Sequence, residues 1–130
     1  MGFQPFTGEF FSTQRVDKPW GHETLWAFSE TYVGKILHVN AGESLSLQYH
    51  VQKDETLTIL SGRVLLEQGP HEDDLSPLVL EPGHSFRVRP GTRHRMVAET
   101  DADILEASTP ELDDVVRLSD RYGREGTSEA

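Results

Sequence analysis

The chain has 130 residues, with 12 lysines and arginines against 22 aspartates and glutamates, and therefore a formal net charge of −10. This length predicts one domain with a single core, and the negative charge disfavours binding to nucleic acid or to an anionic membrane surface. The chain has no cysteine, which excludes disulfides, thiolate nucleophiles and zinc sites with cysteine ligands. A metal ion would need histidine, carboxylate, amide or water ligands.

The N-terminal segment, residues 1–14, does not have the composition of a secretion signal. It lacks a cationic start followed by an apolar run. No later stretch has the length of a membrane-spanning helix either. We therefore expect a soluble, cytoplasmic protein.

Short apolar segments separated by closely spaced turn signals run through the middle of the chain. The predicted strands are residues 33–39, 45–50, 57–60, 64–67, 78–80, 86–89, 96–98 and 104–107. These segments are rich in branched and aromatic residues and are too short for ordinary helices. The pattern predicts an all-β barrel or sandwich.

The segment after Pro110 has a different pattern. Residues 111–121 begin with acidic side chains, which favour a helix N-terminus. The aliphatic side chains that follow have roughly helical spacing; they are Leu112, Val115, Val116 and Leu118. We predict a short C-terminal helix here and a loose tail over residues 125–130.

Residues 44–50 alternate between polar and apolar side chains. Because alternate residues of a strand share a face, Ser46, Gln48 and His50 would lie on one side, and Leu47 and Tyr49 on the other. This polar row is either a solvated outer face or the lining of a site.

Two hairpin motifs bounded by glycines carry the candidate metal ligands. The first runs in the order Gly42, Gln48, His50, Glu55 and Gly62, and the second runs in the order Gly83, Arg89, Pro90, Gly91 and His94. Together they resemble the two motifs of the cupin superfamily, although the second motif usually has proline at the position of Arg89. The resemblance implies a single cupin domain, a double-stranded β-helix or jelly-roll barrel.

The resemblance also implies a divalent metal ion held by Gln48, His50, Glu55 and His94. Two imidazoles, a carboxylate and a neutral amide suit Zn²⁺, Mn²⁺, Fe²⁺ or Ni²⁺ and leave positions open for water or substrate. The alternatives are two ordinary hydrogen-bonded histidines and a structural ion pair between Glu55 and an arginine.

The string Ser46-Leu47-Gln48-Tyr49-His50 is similar to the signature of type II phosphomannose isomerase cupins, which often form one half of a bifunctional guanylyltransferase. Further similar pieces lie at residues 18–21, 94–95, 113–117 and 120–124, so the resemblance covers about residues 18–124. It implies interconversion of mannose 6-phosphate and fructose 6-phosphate. The chain departs from that family where histidines and an aromatic residue often flank the glutamate, and has Gln52, Thr56 and Leu57 instead.

Three cationic residues are candidates for phosphate binding under this resemblance: Lys35, Arg95 and Arg117. Lys35 alternates with Leu37 and Val39, so it points into the barrel if they do. A surface lysine is the alternative for Lys35. For Arg117 the alternative is a salt bridge that ties the C-terminal segment to the barrel.

Trp20 and Glu106 complete the candidate site residues. Trp20 would form one wall of a sugar pocket or fill the core. Glu106 is a candidate catalytic base, with a metal-bound hydroxide as another candidate and an outward-facing polar residue as the non-catalytic alternative.

Two other functions stay open. His50, Glu55 and His94 alone form the two-histidine, one-carboxylate set of non-haem Fe(II) oxygenases, and a non-catalytic sugar- or metal-binding cupin is the third candidate. In each case we expect a small-molecule ligand. Because cupins commonly pair through their sheets and exposed edge strands gain from being covered, we also expect a homodimer.

Overall fold

The computed structural model describes residues 8–127. The strands in chain order are β1 (Gln14–Lys18), β2 (Gly21–Phe28), β3 (Val33–Val39), β4 (Leu47–Tyr49), β5 (Glu55–Ser61), β6 (Val64–His71), β7 (Asp74–Leu80), β8 (Ser85–Val88), β9 (Arg93–Ala98), β10 (Ala102–Ser108), β11 (Val116–Ser119) and β12 (Gly126–Thr127). Sheet A has the order β1-β2-β3-β10-β5-β8, and sheet B has the order β12-β11-β4-β9-β6-β7. From β3 onward the chain crosses repeatedly between the two antiparallel sheets, which is the jelly-roll arrangement.

The inner faces of the two sheets enclose the hydrophobic core. In β3, Val33, Leu37 and Val39 are buried, whereas Ile36 and His38 are partly exposed, which is the alternation expected of a strand with one buried face. The core cluster consists of Trp20, Leu37, Val39, Leu57, Ile59, Val64, Leu66, Leu80, Val88, Met96, Ala98, Ala102 and Ile104. Each large side chain buried there contributes about 1.5–3 kcal/mol through removal of apolar surface from water.

The predicted all-β jelly-roll architecture is confirmed. The segment predicted over residues 33–39 coincides with β3, and every other predicted segment overlaps a strand. β1 and β2 were not among the predicted strands, although the apolar run at residues 25–28 forms the end of β2.

The predicted C-terminal helix over residues 111–121 is wrong. The described residues contain no α-helix, and β11 pairs with β4 instead. Val115 and Arg117 are buried, whereas Val116 and Leu118 are partly exposed, which is the period of a strand. The short run of aliphatic residues fits either period, and β4 stabilises the extended form by supplying backbone hydrogen bonds.

The end of the described chain also departs from expectation in part. Gly126 and Thr127, which fall in the predicted loose tail, pair with β11 as the short strand β12. The rest of the tail, residues 128–130, lies outside the described residues. Over residues 8–127, no helix is long and apolar enough to cross a membrane.

One tight turn between β5 and β6 requires glycine. Gly62 has a φ of +87°, and a Cβ atom there would lie 2.2 Å from the carbonyl oxygen of Asp101. A side chain at this position would therefore meet both backbone strain and a clash with neighbouring backbone.

Candidate metal centre

Two histidines and a glutamate meet between the sheets. His50 directly follows β4, Glu55 begins β5 and His94 lies on β9, and all three are buried. Glu55 Oε1 is 3.6 Å from His50 Nε2 and 3.5 Å from His94 Nε2. Within the described part of the chain, these residues form a cluster whose donor atoms all lie within 4.8 Å of one another.

The hydrogen bonds of the two histidines determine which ring nitrogen faces the cluster. His50 Nδ1 lies 2.6 Å from the carbonyl oxygen of Asp114, and His94 Nδ1 lies 2.9 Å from the carbonyl oxygen of Thr92. Because a carbonyl can only accept, each Nδ1 donates its proton. In the neutral imidazoles, both Nε2 lone pairs therefore point toward Glu55, and neither Nε2 atom has a hydrogen-bond partner.

This donor set fits a divalent metal ion. Separations of 3.5–3.6 Å are too long for good hydrogen bonds. They are close to the spacing of about 3.3 Å between ligand atoms in a tetrahedral site with bonds of about 2.0–2.1 Å. Burial alone would raise the pKa of Glu55, but interactions with the protonated forms of His50 and His94 and with the Lys53 ammonium outweigh it and hold that pKa well below its usual value. Glu55 is thus a carboxylate, the form in which it could bind a cation.

Lys53 is a site residue that the sequence does not reveal. Its Nζ lies 3.2 Å from Glu55 Oε2 and 3.2 Å from Glu106 Oε2. Burial disfavours the charged ammonium, but Glu106 and Glu55 outweigh that effect and raise the pKa of Lys53. The ammonium therefore contacts Glu55 Oε2, while Oε1 faces the two histidines.

Asp114 holds the loop that carries Lys53. Its carboxylate accepts hydrogen bonds from the backbone N–H groups of Val51, Gln52 and Lys53, at 2.9, 2.6 and 2.8 Å. Because its own carbonyl accepts the hydrogen bond from His50, a single residue supports both the loop and a candidate ligand. Such contacts orient metal ligands and tune their affinity.

Glu106 faces the interior and does not point outward as a surface residue. It is directly opposite Lys35 in the pairing of β10 with β3, and both side chains are buried. Burial and the neighbouring Glu55 carboxylate raise the pKa of Glu106, and the Lys53 ammonium only partly opposes them. Lys35 Nζ lies 3.4 Å from Glu23 Oε1, so Lys35 forms an ion pair with Glu23. Glu23 lies outside the two cupin motifs and was not predicted as a site residue.

These groups line a small inner cavity of about 50 Å³. Besides the histidine and glutamate cluster, its lining includes Trp20, Lys35, Gln48, Lys53 and Glu106. Gln48 is held by a 2.6 Å hydrogen bond from Ser46 Oγ to its Oε1. The polar row of residues 46, 48 and 50 thus lines the site, and it is not a solvated outer face.

The structure separates the two arginines that the resemblance places at the site. Arg95 follows His94 on β9 and points to the opposite face, where its Nε lies 3.1 Å from Glu67 Oε1. Arg95 is therefore not brought into the cavity, because successive strand residues point to opposite sides of a sheet. Arg117 is buried on β11 directly opposite Gln48, and lines an outer pocket next to the inner cavity.

Comparison with known proteins agrees with this architecture. A family model described as a cupin domain matches residues 35–107, which is more than half of the chain. The chain belongs to the cupin domain family. This cupin is similar over its fold to a solved RmlC-like cupin from Shewanella frigidimarina, with a TM-score of 0.68, 20% identity, and coverage of 79% of this chain and 92% of that chain.

Two longer proteins resemble this cupin in sequence. The xanthan biosynthesis protein XanB of Xanthomonas campestris is 28% identical over 116 residues, which cover 85% of this chain and 24% of that protein. A mannose-1-phosphate guanylyltransferase of Salmonella montevideo is 27% identical over 122 residues, which cover 89% of this chain and 25% of that protein. The chain thus spans about a quarter of the length of these relatives.

Proposed function

We propose that this cupin is a metal-dependent isomerase that interconverts mannose 6-phosphate and fructose 6-phosphate, or a closely related pair of sugar phosphates. The observation that carries the proposal is the position of Glu106, a buried carboxyl group with a raised pKa in the same cavity as the histidine and glutamate cluster. The resemblance to a guanylyltransferase named for mannose 1-phosphate supports a phosphorylated sugar as the ligand.

An isomerase of this kind must move a proton between two neighbouring carbons of the sugar. In the proposed reaction, Glu106 removes the proton from carbon 2 of the open-chain aldose, and the C–H electron pair forms the C1–C2 double bond of an enediolate as O1 gains negative charge. The hydroxyl proton of O2 moves to O1, and Glu106 returns its proton to carbon 1, which leaves the C2 carbonyl of the ketose. A carboxyl group whose pKa is raised above its usual value suits this exchange, because it can accept and then return the proton. Lys53, which contacts Glu106 at 3.2 Å, holds the carboxylate in place.

His50, Glu55 and His94 would hold the metal ion, with Gln48 as a further ligand. When bound, the ion supplies a Lewis acid that polarises the carbonyl and hydroxyl oxygens of the substrate. The inner cavity, at about 50 Å³, holds only a few water-sized groups. We therefore expect the sugar to extend into the outer pocket and to displace side chains at the boundary between the two, such as Trp20 and Leu45.

The test combines metal analysis with the Glu106→Gln variant. We expect the wild type to bind one divalent ion, to interconvert the two sugar phosphates and to exchange the carbon 2 proton with D₂O. Glu106→Gln should keep the metal ion and lose about 10²–10⁴-fold in kcat, the usual contribution of a general base. Glu67→Gln is the control, because it replaces a glutamate by glutamine in the same way but on the outer face of sheet B, and it should retain full activity.

The alternatives give different results in the same experiment. A metal-loaded wild type that shows neither turnover nor proton exchange would refute the isomerase. Iron with oxygen uptake would then indicate an oxygenase, whereas binding of sugar phosphates without any reaction would indicate a binding module. A Glu106→Gln variant with wild-type kcat would remove Glu106 from the mechanism.

We also propose that this cupin forms a homodimer through the outer side of sheet A. Phe11, Phe28 and Tyr32 are exposed and line one groove near the edge strand β1. Clustered exposed aromatic groups of this kind gain from being covered by a second chain. Sedimentation should show a dimer that Phe28→Ser weakens and that Leu78→Ser, an exposed site on sheet B, leaves intact. A monomeric wild type would refute this proposal.

A further inference from the structure

The outer pocket next to the inner cavity is rich in positive charge. Its charged lining residues are Lys18, Arg117 and Arg124 together with one carboxylate, Glu23. This local excess of cations is unusual for a chain with a net charge of −10. A patch that opposes the charge of the whole protein attracts ligands of one sign to one place.

The three cations are crowded and substantially removed from water. Burial lowers the pKa of Lys18, and although Glu23 opposes this effect, the neighbouring charges of Lys35, Arg124 and Arg117 lower it further. The pKa of Arg117 is likewise lowered by burial and by Arg124. A bound anion would relieve this repulsion, because it adds negative charge where three positive groups face one another.

The guanidinium of Arg124 is held in a defined orientation. Its Nε and Nη2 donate to the two carboxylate oxygens of Asp120 at 3.0 and 3.1 Å. A two-point contact of this kind fixes the plane of the guanidinium. Asp120 therefore occupies one edge of the Arg124 guanidinium, and the remaining N–H donors, whose plane is fixed, are the ones suited to recognition of an oxyanion.

The outer pocket connects directly with the candidate metal centre. In sheet B, Arg117 is opposite Gln48, and Gln48 is opposite His94. Arg117 and His94 are thus two strands apart, or about 10 Å at the usual strand spacing. The two cavities share Trp20 and Gln48 as lining residues. A phosphorylated sugar could span them, with its phosphate outside and its reacting carbons inside.

We propose that Lys18, Arg117 and Arg124 form the subsite that binds the phosphate monoester of the substrate. The inference rests on the proposed function for the identity of the sugar. It changes the phosphate ligands that the sequence predicts, because Arg95 lies on the outer face and Lys35 lines the inner cavity. Lys18 lines the outer pocket, where its Nζ lies 3.8 Å from Glu23 Oε1. Arg117 is the one member common to both sets.

The test measures binding of mannose 6-phosphate, mannose and inorganic phosphate to the metal-loaded full chain by calorimetry. Lys18→Gln and Arg124→Gln each remove one cation of the subsite, and Arg95→Gln is the matched control on the opposite face of β9. Loss of one charged hydrogen bond predicts binding of mannose 6-phosphate and of phosphate about ten- to hundred-fold weaker. Arg95→Gln should change neither by more than about two-fold.

The outcomes separate this subsite from the reaction. If mannose 6-phosphate binds, and binds more weakly to the Lys18 and Arg124 variants as expected, but no isomerisation occurs, the subsite is supported and the isomerase is refuted. If turnover occurs and the Lys18 and Arg124 variants keep the wild-type KM, the isomerase is supported and the subsite is refuted. Equal binding of mannose and mannose 6-phosphate to the wild type would also refute it. Metal content and thermal unfolding of each variant confirm that the protein is intact.

Discussion

The Lys53 ammonium contacts Glu55 through the carboxylate oxygen that does not face the two histidines. It lies 3.2 Å from Oε2, whereas Oε1 is the oxygen within 3.6 Å of both imidazole Nε2 atoms. The same ammonium contacts Glu106 at 3.2 Å. One buried lysine thus holds the candidate ligand and the candidate base in a single network.

The Lys53→Met substitution should strongly destabilise the metal-free protein. It leaves Glu55 and Glu106 buried without the cation between them, and loss of one partner from such a network costs about 3–5 kcal/mol. Urea unfolding at neutral pH measures the change. Adding Glu106→Gln to Lys53→Met should restore at least half of the loss, because it removes one of the two carboxylates. A double variant no more stable than the single one would contradict this coupling.

The Asp114→Ala substitution should weaken metal binding without removing a ligand. It deletes the acceptor for the backbone N–H groups of residues 51–53, and loss of such support typically costs 10–100-fold in metal affinity. Competition with a chelator measures the affinity. Asp113→Ala makes the same charge change at an exposed neighbour and should have little effect. Equal affinities in the two variants would show that the carboxylate does not support the site.

Two glycines with similar backbone angles should differ in their tolerance of alanine. Gly83 has a φ of +94°, and no atom lies within 4 Å of the position that a Cβ atom would take there. Gly83→Ala should therefore cost about 1–2 kcal/mol from backbone strain alone. Gly62→Ala adds a clash with the Asp101 carbonyl and should cost about 1–3 kcal/mol more. Urea midpoints provide the comparison, and equal losses would contradict the close approach of the Asp101 backbone.

Asp120 should stabilise the C-terminal segment only above acidic pH. Burial raises its pKa, but contacts with Arg124 outweigh burial and lower that pKa below the usual 3.8. Because the folded pKa lies below the unfolded one, this stabilisation is present above the unfolded value and is lost as the pH falls through the folded value. Wild type should therefore exceed Asp120→Asn in unfolding free energy by a constant amount above about pH 5, and by less below about pH 4.

Asp17→Asn is the control for this pH dependence. Asp17 makes an exposed ion pair with Arg15, so its substitution should change stability little at any pH. A difference between wild type and Asp120→Asn that stays constant down to about pH 2 would refute the linkage to Asp120.

The strands and the candidate metal ligands could be predicted from the sequence for clear physical reasons. Turn residues and short branched runs identify strands because they report local backbone preference. The motif spacing identified His50, Glu55 and His94, which the fold brings together from both sheets. The helix prediction for residues 111–121 was wrong because a short aliphatic run is compatible with both helix and strand, and the partner strand β4 is remote in sequence.

The remaining site residues depend on contacts that sequence patterns do not encode. Lys53 lies in the loop between β4 and β5, where no periodicity reports its direction, and lysines are usually exposed. Arg95 is the opposite case, since strand alternation next to an inward His94 already indicates an outward side chain. For Glu106, the same alternation with the apolar Ile104 indicates the interior that the structure shows.

The two candidate ligand histidines are oriented by main-chain carbonyls, those of Thr92 and Asp114. Every amino acid supplies such a carbonyl, so a substitution that preserves the backbone path preserves the acceptor whatever the new side chain is. Substitution of the Thr92 side chain should therefore leave the hydrogen bond to His94 intact, and a scan of side-chain replacements would not detect the role of Thr92. The orientation of these imidazoles is a property of the path of the chain, and only a shift of that path can remove it.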